Sequence, residues 1–581
     1  MCISADTVLS ERATLDRSKS CNDHFGGSAD HIFDEQHQSW ISDRTIVLFI
    51  FAVVVCVVYE FRGIPMMAPD ILTVQTATSV MGNYTFKLTF EQYSVILVCM
   101  AFFFTFLRLH EVKVTEKRVF HIAGFIVVAL GCGLFTNQII LSDFMEEHQI
   151  NIRMFRPMES YQKYGGVLTF ARSVGYAVVK KPEGYTTAKV DQIIQEYEKK
   201  SANEQQSTVK QYPNIITVVN ETFADIKVLG DFKTNEDYMP YFHSLKKNCV
   251  TGYTYASIVG GQTANTEFEL LTGNTLGFLS AGTTAFQLYI HGQMPSLVSN
   301  LKAEGYSGNK AMHPFNPYNY NRPAVYKDFG FTDFIDKFDF PKNVKRVREY
   351  ISDEANVDRI ISEYEKNRKK TDQPFYMYNM TIQNHSPYDK DAANFKQPIK
   401  IESSKYDAEA NRYLNLIKYS DDSLKQLTSY FEKCKEPTII LFLGDHQPRL
   451  TDEFMNKITN GQYQTWSSEQ MMKRYQVPFV IWANYDIKEQ HIEKTSMNYI
   501  QSILTKTAGV KMTGYQRFLN EVRKEVPTIT SQGYWGKNGK FYQINDKGSP
   551  YYGIIQKYRM IQYNMMFDKK NRRDSFFEVS K

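Results

Sequence analysis

The first quarter of the chain contains three long apolar runs, and no run of comparable length follows them. They are Ile46–Val58, Tyr93–Leu109 and Val119–Leu141. A membrane-spanning helix needs about 20 apolar residues, with about 17 as the lower limit. The third run meets this length, the second is close to the limit, and the first reaches it only with its flanking residues. The pattern predicts a membrane anchor of three transmembrane helices in residues 45–141, rather than three buried core helices.

The basic residues around these runs predict the orientation of the anchor. The short segment from Arg108 to Arg118 contains four lysines and arginines, whereas the loop Gly63–Gln92 contains only Lys87. Cytoplasmic loops carry an excess of such residues. We therefore expect the basic loop and the polar N-terminal segment in the cytoplasm. Three crossings then place everything after Leu141 outside the cell, as the extracellular part of a multi-pass protein of the cell membrane.

After the third run, shorter apolar runs alternate with helical segments. The runs are Asn214–Phe223, Pro374–Tyr388, Pro437–Leu450 and Tyr475–Tyr485, and the helical segments include Val344–Lys370 and Ala408–Cys434. Continuous apolar runs of this length are typical of strands that are buried on both faces of a parallel sheet. The alternation indicates an α/β domain with a central, mostly parallel sheet flanked by helices. Ligands of such sheets bind at the carboxyl ends of the strands.

These patterns also predict how the chain is divided. We expect a cytoplasmic tail (1–44), the membrane anchor (45–141), a juxtamembrane helical linker (142–211), a catalytic domain (212–514) and a C-terminal extension packed on that domain (515–581). The linker contains the amphipathic segment Thr187–Gln206. The extension contains a basic cluster at Lys569, Lys570, Arg572 and Arg573, which fits a solvated face or a contact with the membrane.

Composition excludes several classes of protein. Hydrophobic residues make up 43% and charged residues 23% of the 581 positions, which is a globular composition. The net charge of +5 is too small to indicate a nucleic-acid-binding protein. There is no CxxC pair, and only Cys249 and Cys434 follow the anchor. Neither a disulfide framework nor a structural zinc site is therefore indicated.

Polar residues stand where the predicted strands end. Glu221 follows the first strand, His385 follows the second, and Asp445 and His446 follow the third. A glycine pair before Thr263 fits a turn into a helix N-terminus, where exposed N–H groups can hold an anion. Carboxylate, imidazole and hydroxyl groups together suit a hard or borderline divalent cation. A single strand-end Glu is more often a cap, and a single His a buried core residue, so only the combination favours a site.

The ordered set of motifs resembles the lipoteichoic acid synthase-like phosphoglycerol transferases, a branch of the sulfatase/alkaline phosphatase superfamily. The motifs are NIITVVNETF, GGQTANTEFELLTG, AMHPFNPYNYNRPAVYKDFGF, TIQNHSPY and FLGDHQP, in that order within Tyr212–Gly514. The resemblance implies a sulfatase/alkaline phosphatase-like ectodomain behind the membrane anchor. It also implies one divalent metal ion, typically Mn²⁺, although Mg²⁺ and Zn²⁺ suit the same ligands.

The resemblance assigns a role to each matching residue. It implies that the metal ligands are Glu221, Thr263, Asp445 and His446. Thr263 corresponds to the family's nucleophile, whereas Thr266 is displaced from that position by three residues. His385 corresponds to a histidine that contacts the substrate phosphate or assists the leaving group. The expected substrate-binding residues are Arg322, Asn321 and His313.

The implied function is transfer of glycerol phosphate from phosphatidylglycerol to a glycolipid, lipoteichoic acid or cell-wall polymer acceptor, through a covalent intermediate on threonine. A phosphoethanolamine transferase of the same fold is the first alternative, but such enzymes commonly carry ectodomain disulfides. A non-catalytic relative is the second, although it would not need a complete ligand set. A true sulfatase would need Cys or Ser in a C/S-x-P-x-R motif, whereas Thr263 is followed by Ala264, Asn265 and Thr266.

Overall fold

The computed structural model describes residues 118–141, 144–148, 157–177, 179–201, 211–280, 283–402, 408–461 and 465–579, besides positions 68, 97 and 100. The first predicted span, and all of the second except Leu97 and Met100, lie outside these residues. The third falls on a helix, Arg118–Phe135, followed by a π-helical turn, Thr136–Leu141. No helix within the described ranges combines the length and the apolar character needed to cross a bilayer. The three-helix anchor and its orientation therefore stay predictions.

The chain divides into two compact units. The helix Arg118–Phe135 belongs to the first, and the described residues from Gln138 onward belong to the second. The strands, all in the second unit, are β1 (Asn214–Asn220), β2 (Cys249–Tyr255), β3 (Ser307–Met312), β4 (Asp333–Ile335), β5 (Arg346–Val347), β6 (Tyr350–Ile351), β7 (Phe375–Met380), β8 (Thr438–Gly444), β9 (Gln476–Ala483), β10 (Gln490–Ser496), β11 (Thr528–Thr530), β12 (Gly533–Trp535) and β13 (Phe541–Tyr542).

The helices are numbered along the whole described chain. They are α1 (Arg118–Phe135), α2 (Phe144–Glu147), α3 (Pro157–Tyr164), α4 (Gly166–Ala177), α5 (Thr187–Ser201), α6 (Pro240–Ser244), α7 (Thr263–Thr272), α8 (Ala285–Leu288), α9 (Leu297–Ala303), α10 (Arg322–Phe329), α11 (Asp353–Arg368), α12 (Ala408–Phe431), α13 (Asp452–Ile458), α14 (Ser468–Met471), α15 (Met497–Thr507), α16 (Gly514–Glu525), α17 (Tyr552–Met566) and α18 (Asp574–Phe577).

Eight strands form the main sheet in the order β10-β2-β9-β8-β1-β7-β3-β4. Strand β1 lies near the centre and pairs in parallel with β7 on one side and with β8 on the other. The four apolar runs of the sequence form β1, β7, β8 and β9, so the predicted α/β architecture is confirmed. Strand β9 runs antiparallel to both of its neighbours, however. The sheet is mixed, because an apolar run indicates burial on both faces and not the direction of the strand.

Side chains of the central strand alternate between two hydrophobic cores, one on each face of the sheet. Ile215 and Val219 belong to one core, and Ile216 and Val218 belong to the other. Alternation follows from the two-residue period of a β-strand. Helices α7, α15, α16 and α17 contribute to the first core, and α11 and α12 to the second. The two layers of helices hold the strand ends in fixed positions, which is what a site at the sheet edge requires.

Two predicted helices differ from the sequence pattern at one end. The segment predicted from Val344 begins with the hairpin β5–β6, so α11 starts at Asp353, where the Ser352 hydroxyl accepts a hydrogen bond from the Ala355 N–H. A serine cap of this kind satisfies one of the free donors of the first turn. Helix α12 ends at Phe431. A short hairpin and a helix start are hard to distinguish in sequence, because both place apolar residues close together.

The predicted linker helix and the C-terminal extension meet in the first core. Helix α5 buries Val190 and Ile193 there, and α17 buries Ile555 and Ile561. The basic cluster supports the same packing, because Arg573 Nε and Nη2 donate to the two oxygens of Asp191, at 2.6 and 2.9 Å. Most of the cluster is occupied by protein partners, since Lys569 donates to the His291 carbonyl and Arg572 pairs with Asp574.

We predict that replacing Ile561 by alanine destabilises the whole second unit. Ile561 is fully buried, and removing a buried isoleucine side chain costs about 2–5 kcal/mol because a cavity remains. Chemical unfolding of the full-length protein followed by circular dichroism measures the loss. Ile554→Ala in the same helix is the matched control, because Ile554 is only partly buried. Equal midpoints for the two variants would contradict the packing of this helix in the core.

Candidate active site

Three predicted ligands meet at the carboxyl ends of β1 and β8. Glu221 directly follows β1, and Asp445 and His446 directly follow β8. Because these strands are adjacent and parallel, with Asn220 opposite Gly444, their ends lie side by side. One ligand atom from each of the three residues lies within 4.8 Å of the others, and all three residues are buried. The topology of the sheet thus brings residues from two distant sequence segments together in one cluster.

The backbone around the cluster adopts conformations that few residues tolerate. A Cβ atom on Gly444 would lie 1.8 Å from the carbonyl oxygen of Phe223, so only glycine fits before Asp445. Thr222 and Gln262 have φ angles of 55° and 65°. Non-glycine residues in the left-handed region store strain, and such strain concentrates at functional sites. The strained turns place Glu221 and Thr263 next to each other.

Asp445 and His446 face each other through two buried polar atoms that no other described group binds. Asp445 Oδ1 accepts hydrogen bonds from the N–H groups of Thr222 at 2.6 Å and His446 at 2.8 Å. His446 Nδ1 lies 3.0 Å from the Gln447 carbonyl, which can only accept, so the proton is on Nδ1 and the lone pair on Nε2. Asp445 Oδ2 and His446 Nε2 are 3.2 Å apart, and neither has a hydrogen-bond partner among the described residues.

Burial makes this cluster electrostatically unfavourable by itself. It raises the pKa of Asp445 to about 7. Burial, and then the negative charge of Asp445, raise the pKa of Glu221, while burial lowers the pKa of His446. Each shift opposes the charged form, as expected for groups removed from water. A cation among the three residues would reverse this effect for both carboxylates.

The donor set fits a divalent metal ion. It offers carboxylate oxygens from Glu221 and Asp445, the free Nε2 of His446 and the hydroxyl of Thr263, whose Oγ1 lies 3.4 Å from Glu221 Oε2. The unpartnered Oδ2 and Nε2 atoms are the decisive observation, because buried polar atoms without partners are rare unless a ligand satisfies them. Oxygen and nitrogen ligands of this kind suit Mn²⁺, Mg²⁺ and Zn²⁺, and do not decide among them.

The two threonines of the glycine-rich motif have different surroundings. The predicted turn into a helix is confirmed, since α7 begins at Thr263 after three residues with positive φ, Gly260, Gly261 and Gln262. Thr263 Oγ1 faces Glu221 and lines the cavity described below. Thr266 is fully buried, and its hydroxyl donates to the Asp445 carbonyl at 2.8 Å. Thr266 therefore supports the loop of Asp445, and Thr263 is the one of these two threonines that lines the cavity.

A cavity opens beside the cluster. His385, predicted to contact the substrate, lines it, and the ring of Phe315 stacks on that of His385 with centroids 6.2 Å apart. Arg348 was not expected from the sequence. It donates to the carbonyls of Gln383, His385 and Pro387 at 2.7–2.8 Å. This one guanidinium thereby fixes the loop that carries His385.

His313 and Arg322 line the same cavity but are held from behind. His313 Nδ1 donates to the Met380 carbonyl at 3.0 Å, and burial together with the charge of Arg322 lowers its pKa well below the ordinary value. His313 is therefore neutral, with the Nε2 lone pair as an acceptor. Arg322 donates from Nε and Nη2 to Glu267 Oε1 at 3.0 and 2.8 Å. Both groups of this ion pair are almost inaccessible to solvent.

Glu267 collects four hydrogen bonds and so fixes the position of Arg322. Besides the two from Arg322, its Oε2 accepts from the hydroxyls of Tyr326 at 2.5 Å and Tyr378 at 3.1 Å. A buried charge of this kind needs such partners, because an unpaired carboxylate in the core would be very costly. Glu267 thus has a structural role that its position in the sequence did not reveal.

Asn321 is the one predicted substrate-binding residue that does not line the cavity. It has a φ of 58° and precedes α10, whereas its neighbours Asn319, Tyr320 and Arg322 do line the cavity. Further lining residues that the sequence did not single out are Phe315, Tyr388 and Arg449. Their positions inside the HPF, SPY and HQPR segments, next to predicted site residues, were the only available signal.

Comparison with known proteins places this geometry in a family. The model of the sulfatase family matches residues 213–510, about half of the chain. The chain belongs to the sulfatase family. The family name does not by itself specify a sulfatase reaction.

The relatives of this sulfatase-family chain include proteins named for glucan modification and for similarity to lipoteichoic acid synthase. A Rhizobium meliloti protein named for cyclic beta-1,2-glucan modification is 30% identical over 73% of this chain and 65% of its own length. A lipoteichoic acid synthase-like protein of Bacillus subtilis is 27% identical over 40% of this chain and 36% of its own length. The chain thus spans less than two thirds of the length of these relatives.

A solved structure has the same fold. The Streptococcus pyogenes phosphoglycerol transferase GacH, in complex with sn-glycerol-1-phosphate, superimposes with a TM-score of 0.56 at 20% identity, covering 69% of this chain and all of that structure. At this identity, the similarity concerns the arrangement of sheet and helices. It agrees with the mixed α/β sheet observed here.

We predict that Glu267→Gln destabilises the protein strongly. The change keeps the shape of the side chain but leaves the buried guanidinium of Arg322 without a counter-charge, and breaking such a pair costs about 3–5 kcal/mol. The free energy of unfolding measures this loss. The control is Glu354→Gln, which removes an ion pair with Lys345 at the surface and should cost less than about 1 kcal/mol. Similar losses in both variants would contradict the structural task of Glu267.

Proposed function

We propose that this protein is a phosphotransferase that moves glycerol phosphate from phosphatidylglycerol to a hydroxyl of a cell-surface glycan, with Thr263 as nucleophile. The observation that carries the proposal is the position of the Thr263 hydroxyl. It opens into the cavity 3.4 Å from Glu221, beside two buried polar atoms that have no partner in the described part of the chain. The family and the phosphoglycerol transferase fold support this assignment.

Glu221, Thr263, Asp445 and His446 would hold one divalent ion, with Mn²⁺ as our preference. When bound, such an ion lowers the pKa of a hydroxyl and neutralises charge on a phosphoryl oxygen. The Thr263 hydroxyl donates a hydrogen bond to Glu221 Oε2 at 3.4 Å, which would orient the oxygen relative to a substrate phosphate. The neutral imidazole of His313 and the fixed guanidinium of Arg322 border the space in which the phosphate would lie.

The reaction proceeds in two displacements. In the first, Thr263 Oγ1 attacks as the alkoxide and forms a bond to phosphorus, and the bond between phosphorus and the diacylglycerol oxygen breaks. In the second, the acceptor hydroxyl forms a bond to the same phosphorus, and the threonine oxygen leaves as the alkoxide with which the cycle began. His385, fixed by Arg348 at the cavity, gives a proton to the first leaving oxygen and takes one from the acceptor, as an imidazole can near neutral pH. Two steps with one nucleophile require no nucleotide.

The donor and acceptor follow from different considerations. A phospholipid donor fits an enzyme whose catalytic unit is extracellular and follows a three-helix anchor, as the apolar runs of the sequence predict. For the acceptor, the relative named for glucan modification favours a sugar hydroxyl of a glucan over a lipid-linked polymer. The predicted partners are therefore the membrane, phosphatidylglycerol and a glycan acceptor.

Mass spectrometry of the full-length protein after incubation with Mn²⁺ and phosphatidylglycerol tests the proposal. We expect one added glycerophosphoryl group on Thr263, and no adduct in Thr263→Ala. Thr266→Ala is the matched control, because it removes a hydroxyl of the same motif that only supports the Asp445 loop. This variant should still form the adduct, more slowly. An adduct on Thr266, or full transfer activity in Thr263→Ala, would show that the nucleophile is wrongly assigned.

The same experiment separates the donors. Incubation with phosphatidylethanolamine should leave Thr263 unmodified. An added phosphoethanolamine group would instead support the alternative transferase.

A further inference from the structure

Arg449 differs from the other charged residues at the cavity because it has no partner among the residues that the structure describes. It lines the cavity three residues after His446, and its side chain is exposed. Within the described ranges it makes no hydrogen bond, ion pair or ring contact. An arginine placed at a site without a counter-ion is available for a ligand, and its planar guanidinium can donate two parallel hydrogen bonds to a phosphate.

The backbone that carries Arg449 is nevertheless fixed. Gln447 Nε2 donates to the carbonyls of Lys473 and Gln476 at 2.7 and 2.8 Å, and Arg474 donates to the Pro448 carbonyl at 3.2 Å. The Gly260 N–H donates to the Gln447 carbonyl at 2.9 Å. A Cβ on Gly260 would come within 3.2 Å of Arg449 Cβ, so the glycine-rich turn packs closely against this residue.

Because the backbone of Arg449 is fixed and only its side chain is free, ligand binding by this residue has a small entropic cost. Only the side chain of Arg449 must be ordered when it binds a ligand, because the position of its Cα is already determined. The free energy lost in ordering one long side chain is smaller than the free energy that a charge-assisted hydrogen bond can supply. Arg449 therefore has the properties of a binding residue and not merely those of a solvated surface charge.

The distribution of charge in the cavity also indicates Arg449 as the residue available to an anion. Three charged residues line it: Glu221, Arg322 and Arg449. The charge of Arg322 is compensated by Glu267. The carboxylates of Glu221 and Asp445 would be compensated by a divalent ion. The positive charge that remains is that of Arg449, which matches the single negative charge of a phosphodiester.

We propose that Arg449 binds an anionic phosphate group of the substrate through its guanidinium. This inference rests on the proposed function, and it adds a recognition residue beyond those that the motifs indicated. The phosphate has two possible sources: the phosphodiester of the donor lipid under attack, or a phosphate already attached to the acceptor glycan. Both present the same chemistry to the guanidinium.

Direct binding of inorganic phosphate tests this residue without any reaction. Isothermal titration of the Mn²⁺-loaded full-length protein should show affinity for phosphate reduced about tenfold or more in Arg449→Ala, because a charge-assisted hydrogen bond is lost. Arg449→Lys should recover part of the affinity, since lysine keeps the positive charge but cannot donate two parallel hydrogen bonds from one planar group. Lys302→Ala removes an equal charge from an exposed position outside the cavity and should bind like the wild type. Unchanged affinity in Arg449→Ala would overturn the proposal.

Two kinetic measurements distinguish the sources of the phosphate. If Arg449 binds the donor, Arg449→Ala forms the Thr263 adduct from phosphatidylglycerol about tenfold more slowly or worse. If it binds the acceptor, adduct formation is unchanged, and transfer to a phosphoglycerol-bearing glucan falls relative to transfer to a neutral glucan. Either result supports the proposal, and wild-type rates in all three reactions contradict it. If the wild-type protein binds phosphate through Arg449 but forms no adduct on Thr263, the result contradicts the proposed function. It does not contradict the binding of phosphate by Arg449.

Discussion

The site depends on one electrostatic constraint: two buried atoms, Asp445 Oδ2 and His446 Nε2, face each other at 3.2 Å, and no other group among the described residues donates a hydrogen bond to either. When Asp445 is ionised this arrangement is repulsive in the protein interior, and the nearby carboxylate of Glu221 adds to the repulsion. The arrangement becomes favourable once a cation lies among the three residues, because each lone pair then has a partner.

The remainder of the site can be understood as the means of keeping these groups together. Adjacent parallel strands bring Glu221 and Asp445 to one edge, and Gly444 permits the close passage of the Phe223 carbonyl. Thr266 holds the Asp445 carbonyl, and Arg348 holds the loop of His385. None of these supporting groups requires the metal ion. The protein therefore presents a preformed set of ligands, which lowers the cost of reorganisation when substrate binds.

The sequence was most informative where a polar residue directly follows a buried apolar run. The apolar runs before Glu221 and Asp445 predicted buried strands, and the same runs predicted that their polar ends share an edge. The antiparallel direction of β9 could not be predicted, because a strand that is buried on both faces has the same pattern in either direction. The hairpin before α11 was missed for a similar reason, since its apolar residues fit a helix equally well.

The sequence also could not predict which side chains distant in the chain pair with each other. Arg322 was assigned to substrate because its motif resembles that of known transferases, and the structure adds its ion pair with Glu267, 55 residues away in sequence. Neither spacing nor residue type distinguishes an arginine that is compensated in the core from one that is free, such as Arg449. That distinction depends on which side chains the fold brings within hydrogen-bonding distance.

Equilibrium binding of Mn²⁺ to the full-length protein, measured by electron paramagnetic resonance, tests the central claim most directly. We predict one bound ion per chain in the wild type, and affinity weakened at least about tenfold in His446→Ala. His385→Ala, which alters the cavity but removes none of the clustered ligands, should bind the ion like the wild type. Absence of bound Mn²⁺ in the wild type, or equal binding by His446→Ala, would contradict the account.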